Sequence, residues 1–98
     1  MVKKIKWRQK ALQYVRETAE YLESEFSEQA ANNFVDAVDK AINRVEKNPT
    51  AYRKAPKTQS VHFVNIDKSR QMFYRLSGQT IIISAFFDNK QDPERRPF

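Results

Sequence analysis

The sequence predicts a single α+β domain in which a two-helix antiparallel hairpin packs on one face of a small sheet. Three observations predict this class. Residues 8–25 and 27–47 repeat apolar positions every three and four residues, as amphipathic helices do. Three short apolar segments follow after residue 59, and their close spacing favours an antiparallel meander. A short alternating segment, residues 2–7, precedes the helices, so the predicted order is β-α-α-β-β-β.

Length and composition indicate one globular domain that spans residues 1–98. Hydrophobic residues make up 40% of the chain and charged residues 31%, a balance typical of a folded rather than a disordered chain. The chain has no cysteine, which excludes disulfides, thiolate zinc sites and a cysteine nucleophile. We expect neither a cofactor nor a bound metal ion.

No segment of the sequence resembles a secretion signal or a membrane span. The basic residues near the N-terminus are not followed by an apolar stretch. An apolar run such as Ile81 to Ile83 is far shorter than the ~20 residues that a spanning helix needs. We therefore expect a soluble, cytoplasmic protein without a membrane partner.

The first element, residues 2–7, is predicted to be an edge strand. Ile5 and Trp7 alternate with Lys4 and Lys6, which puts the apolar pair on one face of the strand and the lysines on the other. A charged row of this kind is typical of a strand at the edge of a sheet.

Two apolar stripes predict the helices. The first stripe consists of Leu12, Val15, Ala19, Leu22 and Phe26. The second consists of Ala31, Phe34, Val38, Ala41 and Val45. Ser27 suits the N-cap of the second helix, and Asn48-Pro49 ends that helix after Lys47. The tight connection between the two stripes predicts the antiparallel hairpin.

The three later strands are predicted at residues 60–66, 70–76 and 80–87. Residues 51–59 show neither helical nor strand periodicity and are predicted to be a basic loop. Gly78, the only glycine, lies in a short connection where a tight turn favours a positive φ. The last strand is apolar on both faces, which indicates a central position in the sheet.

A hairpin of two helices covers one face of such a sheet, which leaves the other face for binding. The two alternating sets of the middle strand are Met72, Tyr74 and Leu76, and Gln71, Phe73 and Arg75. The sequence leaves open which set faces the helices.

Charge favours an anionic partner. The formal net charge is +6 and the isoelectric point is about 9.7. Residues 1–47 carry nine Lys/Arg and eight Asp/Glu, a net charge of +1, whereas residues 48–98 carry nine against four, a net charge of +5. This balance indicates nucleic acid or an acidic protein segment as the partner.

Cations of the second half are the candidate anion-binding or target-binding residues. They are Arg53, Lys54, Lys57, Arg70, Arg75, Lys90 and Arg95. His62, the only histidine, is of the side-chain type that most readily exchanges a proton at neutral pH. His62, Arg75 and Lys54 are therefore the catalytic candidates. The apolar neighbours of His62 favour a structural or surface role for it, and solvent exposure explains Arg75 as well as binding does.

Three sequence features occur in a fixed order over nearly the whole chain. They are the helical hairpin that ends at Asn48-Pro49, the strand segment Phe73-Tyr74-Arg75-Leu76, and the tail Phe86-Phe87-Asp88-Asn89-Lys90-Gln91-Asp92-Pro93. In this order they resemble the RelE/ParE superfamily, the toxins of type II toxin-antitoxin systems that include plasmid stabilisation proteins. The resemblance implies that the protein arrests growth and that a cognate antitoxin neutralises it. The antitoxin is expected to be acidic and partly disordered alone, and operator DNA is expected to be bound only through the toxin-antitoxin complex.

The superfamily divides by target, so the resemblance implies either DNA gyrase, as for ParE-like members, or the ribosome and its mRNA, as for RelE-like endoribonucleases. Cleavage of mRNA needs an acid and a base. RelE-like members often place a histidine, tyrosine or arginine near the end of the last strand, but residues 86–90 contain no histidine or tyrosine here. Whether the chain is an enzyme therefore stays open. A non-toxic basic module that binds nucleic acid or protein is the remaining alternative.

Overall fold

The computed structural model describes residues 4–54 and 61–88. These residues form two helices and a four-stranded sheet. The elements are β1, Lys4–Trp7; α1, Gln9–Glu25; α2, Glu28–Lys47; β2, Val61–Asn65; β3, Arg70–Ser77; and β4, Thr80–Asp88. Their order confirms the predicted α+β fold.

The strands lie in the order β1-β4-β3-β2, so β4 is interior as predicted and β1 is at an edge. β2, β3 and β4 form the predicted antiparallel meander. Gly78 turns the chain between β3 and β4 with a φ of 59°, as its position predicted. β1 pairs with β4 in parallel, with Ile5 opposite Ile81 and Trp7 opposite Ile83.

The second helix begins and ends where the sequence predicted. The Ser27 hydroxyl caps α2 and accepts a hydrogen bond of 3.0 Å from the N–H of Ala30. Asn48 is the C-cap residue, and its N–H donates to the carbonyls of Arg44 and Val45. These bonds satisfy backbone groups that the helix itself leaves unpaired.

The first helix ends at Glu25, as predicted, but its apolar stripe does not extend to Phe26. Phe26 is the C-cap residue and is 68% exposed, so its assignment to that stripe is wrong. The N–H groups of Phe26 and Ser27 both donate to the Leu22 carbonyl. This turn ends α1, so the Phe26 side chain does not lie on the apolar stripe. The Phe26 ring instead lies edge-on to the Tyr21 ring, with centroids 6.2 Å apart.

The face of the sheet that packs against the helices, the inner face, holds the main core. The buried core residues are Ala11, Phe34, Val38, Ala41, Val45, Val64, Ile66, Met72, Tyr74, Ile81, Ile83 and Phe86. Tyr14 of α1 stacks on Phe86, with ring centroids 5.1 Å apart. The set Met72, Tyr74 and Leu76 therefore faces the helices, which answers the question that the sequence left open.

The opposite face of the sheet, the outer face, carries a second and smaller apolar cluster. Its buried members, Val61, Phe73, Ala85 and Phe87, are each at most 7% exposed. Near it the pairing of β3 with β4 is irregular, because Phe73 lies opposite Ala85 whereas Tyr74 lies opposite Ile83. Ser84 is therefore the extra residue of a β-bulge.

Neither of the two described helices is both long enough and apolar enough to cross a membrane.

Candidate functional site

A pocket of about 450 Å³ opens on the outer face where α1 begins beside β4. Its lining residues are Arg8, Gln9, Lys10, Val61, Phe73, Arg75, Ser84 and Ala85. The floor is formed by buried apolar residues, and three of the lining residues are cationic. We call this the outer pocket. A cationic rim over an apolar floor suits an anionic group.

The start of α1 adds to the positive potential of the outer pocket. Arg8 is the N-cap residue, with an extended backbone, and its N–H donates to the Ile83 carbonyl at 3.0 Å. This bond holds the helix start against β4. No side chain caps this end, and its first turn has no acidic residue. The partial positive charge of a helix N-terminus is therefore not compensated by a side chain of α1 itself.

Lysines extend the positive surface along β1. Ile5 and Trp7 pack against the main core, so Lys4 and Lys6 point to the outer face, where they are exposed. Lys6 lies opposite Ile82, which in turn lies opposite Arg75 of β3. Lys6 and Arg75 are thus two strands apart, about 10 Å.

Carboxylates of the described residues lie elsewhere. The two helices carry eight Asp/Glu against five Lys/Arg, whereas the four strands carry four Lys/Arg against one Asp, Asp88. The only other described acidic residue, Asp67, lies in the β2–β3 turn, and both contact the Arg70 guanidinium, at 3.9 Å for Asp88 and 3.0 Å for Asp67. In the described part of the chain the molecule is therefore divided into an acidic helical layer and a basic sheet.

His62 lies on the inner face, away from the outer pocket. It is 8% exposed and stacks on Tyr74, with ring centroids 5.2 Å apart. Its Nδ1 lies 3.0 Å from the carbonyl oxygen of Tyr52. Through these contacts His62, a residue of β2, packs against β3 and against the segment that follows α2.

Arg70 also lies on the inner side of the sheet, where it binds the two aspartates and lies over the Phe34 ring at 5.2 Å. Burial alone would raise the pKa of Asp67. Hydrogen bonds from the Ser69 N–H and from Arg70 outweigh burial and hold the pKa of Asp67 below its usual value of 3.8. The charge of Arg70 is therefore matched by acidic neighbours.

Arg53 and Lys54 lie beyond β2, at the edge of the sheet opposite β1. The Phe63 N–H donates to the Arg53 carbonyl at 2.9 Å, and Lys54 forms an isolated antiparallel bridge with His62. Both side chains are exposed. The structure does not bring them into the outer pocket.

Of the predicted candidates that the structure describes, Arg75 alone lines the outer pocket. Lys57, Lys90 and Arg95 lie outside the described residues.

The outer pocket instead joins Arg75 to Arg8 and Lys10, which sequence reasoning did not select. The predicted row of lysines on β1, Lys4 and Lys6, lies on the same surface. The missing information was that β1 pairs with β4, because this pairing brings the start of α1 to the middle of the sheet.

These side chains favour the binding of an anion. The eight described residues that line the outer pocket include cations and the Ser84 hydroxyl, but neither a carboxylate nor a histidine. Within residues 4–54 and 61–88, no group of three or more His, Cys, Asp or Glu could hold a metal ion. Electrostatic attraction of an anion is the chemistry that the arrangement offers.

Comparison with known families adds the decisive observation. Residues 5–93 match the profile of the family described as the ParE toxin of the type II toxin-antitoxin system parDE. The chain belongs to the ParE toxin family. This confirms the RelE/ParE superfamily prediction and identifies the protein as the toxin component of a type II system. Membership also implies a cognate antitoxin protein as a partner of this toxin.

Solved structures share the fold of this ParE-family toxin at low sequence identity. A chromosomal ParDE toxin-antitoxin system of P. aeruginosa matches with a TM-score of 0.73 and 14% identity, covering 87% of this chain and 94% of that chain. A YoeB/ParE toxin of Agrobacterium tumefaciens matches with a TM-score of 0.63 and 14% identity, covering 88% and 98%. The YoeB dimer of Staphylococcus aureus matches with a TM-score of 0.62 and 12% identity, covering 86% and 93%. No curated protein matches the chain.

Proposed function

We propose that this toxin acts in the cytoplasm on DNA gyrase, arrests growth without cleaving RNA, and is neutralised by its cognate antitoxin. Selection for cells that keep the antitoxin would then stabilise the plasmid or chromosomal region that encodes the pair. The position of His62 is the structural observation that supports this proposal over mRNA cleavage.

An endoribonuclease needs groups that remove a proton from the ribose hydroxyl and return one to the leaving oxygen. His62, the only histidine in the sequence, is buried on the inner face and stacked on Tyr74. It cannot reach a substrate bound on the outer face without unfolding β2. The described lining of the outer pocket supplies positive charge for binding, but neither a carboxylate nor a histidine.

The membership in the ParE family also favours gyrase, because ParE-like members of the superfamily are the ones associated with that target. The structural similarity to YoeB proteins carries no weight for RNA cleavage, since identities of 12% and 14% support the fold alone. Family membership and the side chains of the outer pocket, rather than the fold, therefore support gyrase over mRNA as the target.

Purified toxin, released from its antitoxin, should be added to gyrase, relaxed plasmid and ATP. We expect loss of supercoiling or trapped cleaved plasmid, and we expect the antitoxin to restore the activity. Gyrase that remains fully active at excess folded toxin would contradict the proposal. A parallel reaction with ribosomes and mRNA should leave the message intact, and site-dependent cleavage there would support a nuclease instead.

A further inference from the structure

The outer face of this toxin has the properties of a surface for the phosphate backbone of DNA. Lys4, Lys6, Arg8 and Lys10 follow one another at every second residue from β1 into α1, and all four are exposed. Lys4 and Lys6 lie on one face of an extended strand, so their Cα atoms are about 6.6 Å apart. Phosphates of one strand follow at ~3.4 Å of helix axis each, so side chains at this spacing match about every second phosphate.

The outer pocket continues this row towards the centre of the sheet. Arg8 and Lys10 line it together with the bulge residue Ser84. The first N–H groups of α1 lie at the same place and, as at other helix N-termini, favour a phosphate oxygen. The pocket and the β1 lysines thus form one continuous positive surface.

Within residues 4–54 and 61–88, this surface carries no carboxylate, which strengthens its attraction for a polyanion. In the described part of the chain the acidic residues lie on the two helices or beside Arg70 on the inner side. A polyanion approaching the sheet therefore meets cations, and one approaching the helices meets an excess of acidic residues. This charge division orients the toxin with its outer face towards the polyanion.

The burial of aromatic residues on the outer face indicates whether this face suits double-stranded or single-stranded nucleic acid. Proteins usually hold single-stranded nucleic acid by stacking its bases on exposed aromatic rings. Phe73 and Phe87, at the centre of the outer face, are at most 2% exposed and packed in the outer cluster. Phe63 of the same cluster is partly exposed, but it lies on β2 and is not among the described residues that line the outer pocket. Within the described residues, the outer pocket and the β1 lysines thus present exposed cations and no exposed ring, which suits contacts to a duplex backbone that need no unstacked base.

We propose that the outer face, from Lys4 on β1 to the outer pocket, binds the phosphate backbone of double-stranded DNA, so that the toxin contacts the DNA that gyrase holds. The choice of DNA as the polyanion rests on the proposed function. The contact would be made by the toxin itself and thus goes beyond the expectation that operator DNA is bound only through the antitoxin complex.

Fluorescence anisotropy of a labelled duplex tests this directly with antitoxin-free toxin. With three to five phosphates neutralised, the affinity should fall about 40- to 500-fold between 50 and 200 mM salt. Lys6→Gln with Lys10→Gln removes two exposed cations and should make the slope of log affinity against log salt less steep by about 1.8. Lys40→Gln with Lys47→Gln on α2 changes the net charge equally and should leave the slope unchanged.

Equal effects of the two double variants would overturn the proposal, because net charge alone would then explain the binding. No binding of the wild-type toxin at 50 mM salt would also overturn it. So would tighter binding of a poly-glutamate peptide of equal charge, which would assign the face to an acidic protein. Gyrase inhibition is measured separately: inhibition without duplex binding rejects this inference alone, and duplex binding without inhibition rejects only the gyrase proposal.

Discussion

His62 and Tyr74 form a small aromatic cluster that ties the segment after α2 to the sheet. The imidazole contacts the Tyr52 carbonyl, and the Tyr74 hydroxyl donates to the Pro49 carbonyl at 2.7 Å. The two rings are stacked and nearly parallel, with an interplanar angle of 14°. Both polar groups of the cluster thus bind backbone of the same segment. We therefore expect the two residues to contribute to stability rather than to catalysis.

Replacement of His62 separates these two roles. We expect His62→Ala to lower the free energy of unfolding by about 1–3 kcal/mol, from the lost hydrogen bond and the lost ring contact. Urea denaturation measures this change. The gyrase inhibition per folded molecule should equal that of the wild type. A loss of activity larger than the loss of folded protein would indicate a direct role for the imidazole.

We expect the folded protein to lose stability at high pH because Tyr74 is buried. Burial, and to a smaller extent the neighbouring Tyr52, raise the pKa of Tyr74 to about 12. The unfolded chain has its tyrosines near their usual pKa of ~10 and releases this proton first. The contribution of Tyr74 is therefore complete below pH 10 and is lost between pH 10 and 12, by about 2–3 kcal/mol. Burial also raises the pKa of Tyr14, which acts in the same direction.

Urea denaturation of wild type and Tyr74→Phe between pH 8 and 12 checks this prediction. We expect the variant to be about 1 kcal/mol less stable at pH 8, since it loses the bond to Pro49, and to show a shallower decline above pH 10. Tyr21→Phe is the control, because Tyr21 is 57% exposed. Parallel curves for wild type and Tyr74→Phe would contradict the assignment.

Elements with a strong local signal were predictable from the sequence. The stripe Ala31 to Val45 predicted α2, and the single glycine predicted the turn at Gly78. The parallel pairing of β1 with β4 could not be predicted, because it joins segments that are distant in sequence and leaves no local pattern. The outer pocket was missed for the same reason, since Arg8 and Arg75 meet only through that pairing.

At the start of α1, we expect one substitution to raise the stability of the toxin and to weaken its binding to a DNA duplex. Arg8 has the extended backbone of an N-cap residue but no side-chain acceptor for the first N–H groups. Arg8→Asp supplies that acceptor and places a negative charge at the positive helix end, so we expect a gain of about 1 kcal/mol in unfolding free energy.

The same substitution should weaken duplex binding and make its salt dependence less steep, because it removes a cation from the outer pocket and adds an anion. Arg16→Asp, at an exposed position inside α1, makes the same charge change without a capping position. We expect no stabilisation and little change in duplex binding from Arg16→Asp. If Arg8→Asp bound the duplex as tightly as wild type, Arg8 would have no place in the anion-binding surface.

The whole molecule combines a fold shared with other RelE/ParE toxins with its own distribution of charge. The described helices carry an excess of acidic residues, and the strands carry an excess of cations. Such a division steers a polyanion to one side of the toxin and keeps it from the other. The proposed contact with DNA depends on this asymmetry, whereas the proposed action on gyrase rests on family membership and on the buried position of His62.

The most direct test of the central claim is to induce the toxin in cells with and without its antitoxin, and to measure plasmid topology, DNA breaks and mRNA integrity before growth stops. We predict relaxed plasmid or gyrase-linked DNA breaks with intact mRNA, all absent when the antitoxin is present. Growth arrest with cleaved mRNA and normally supercoiled, unbroken plasmid would contradict the account.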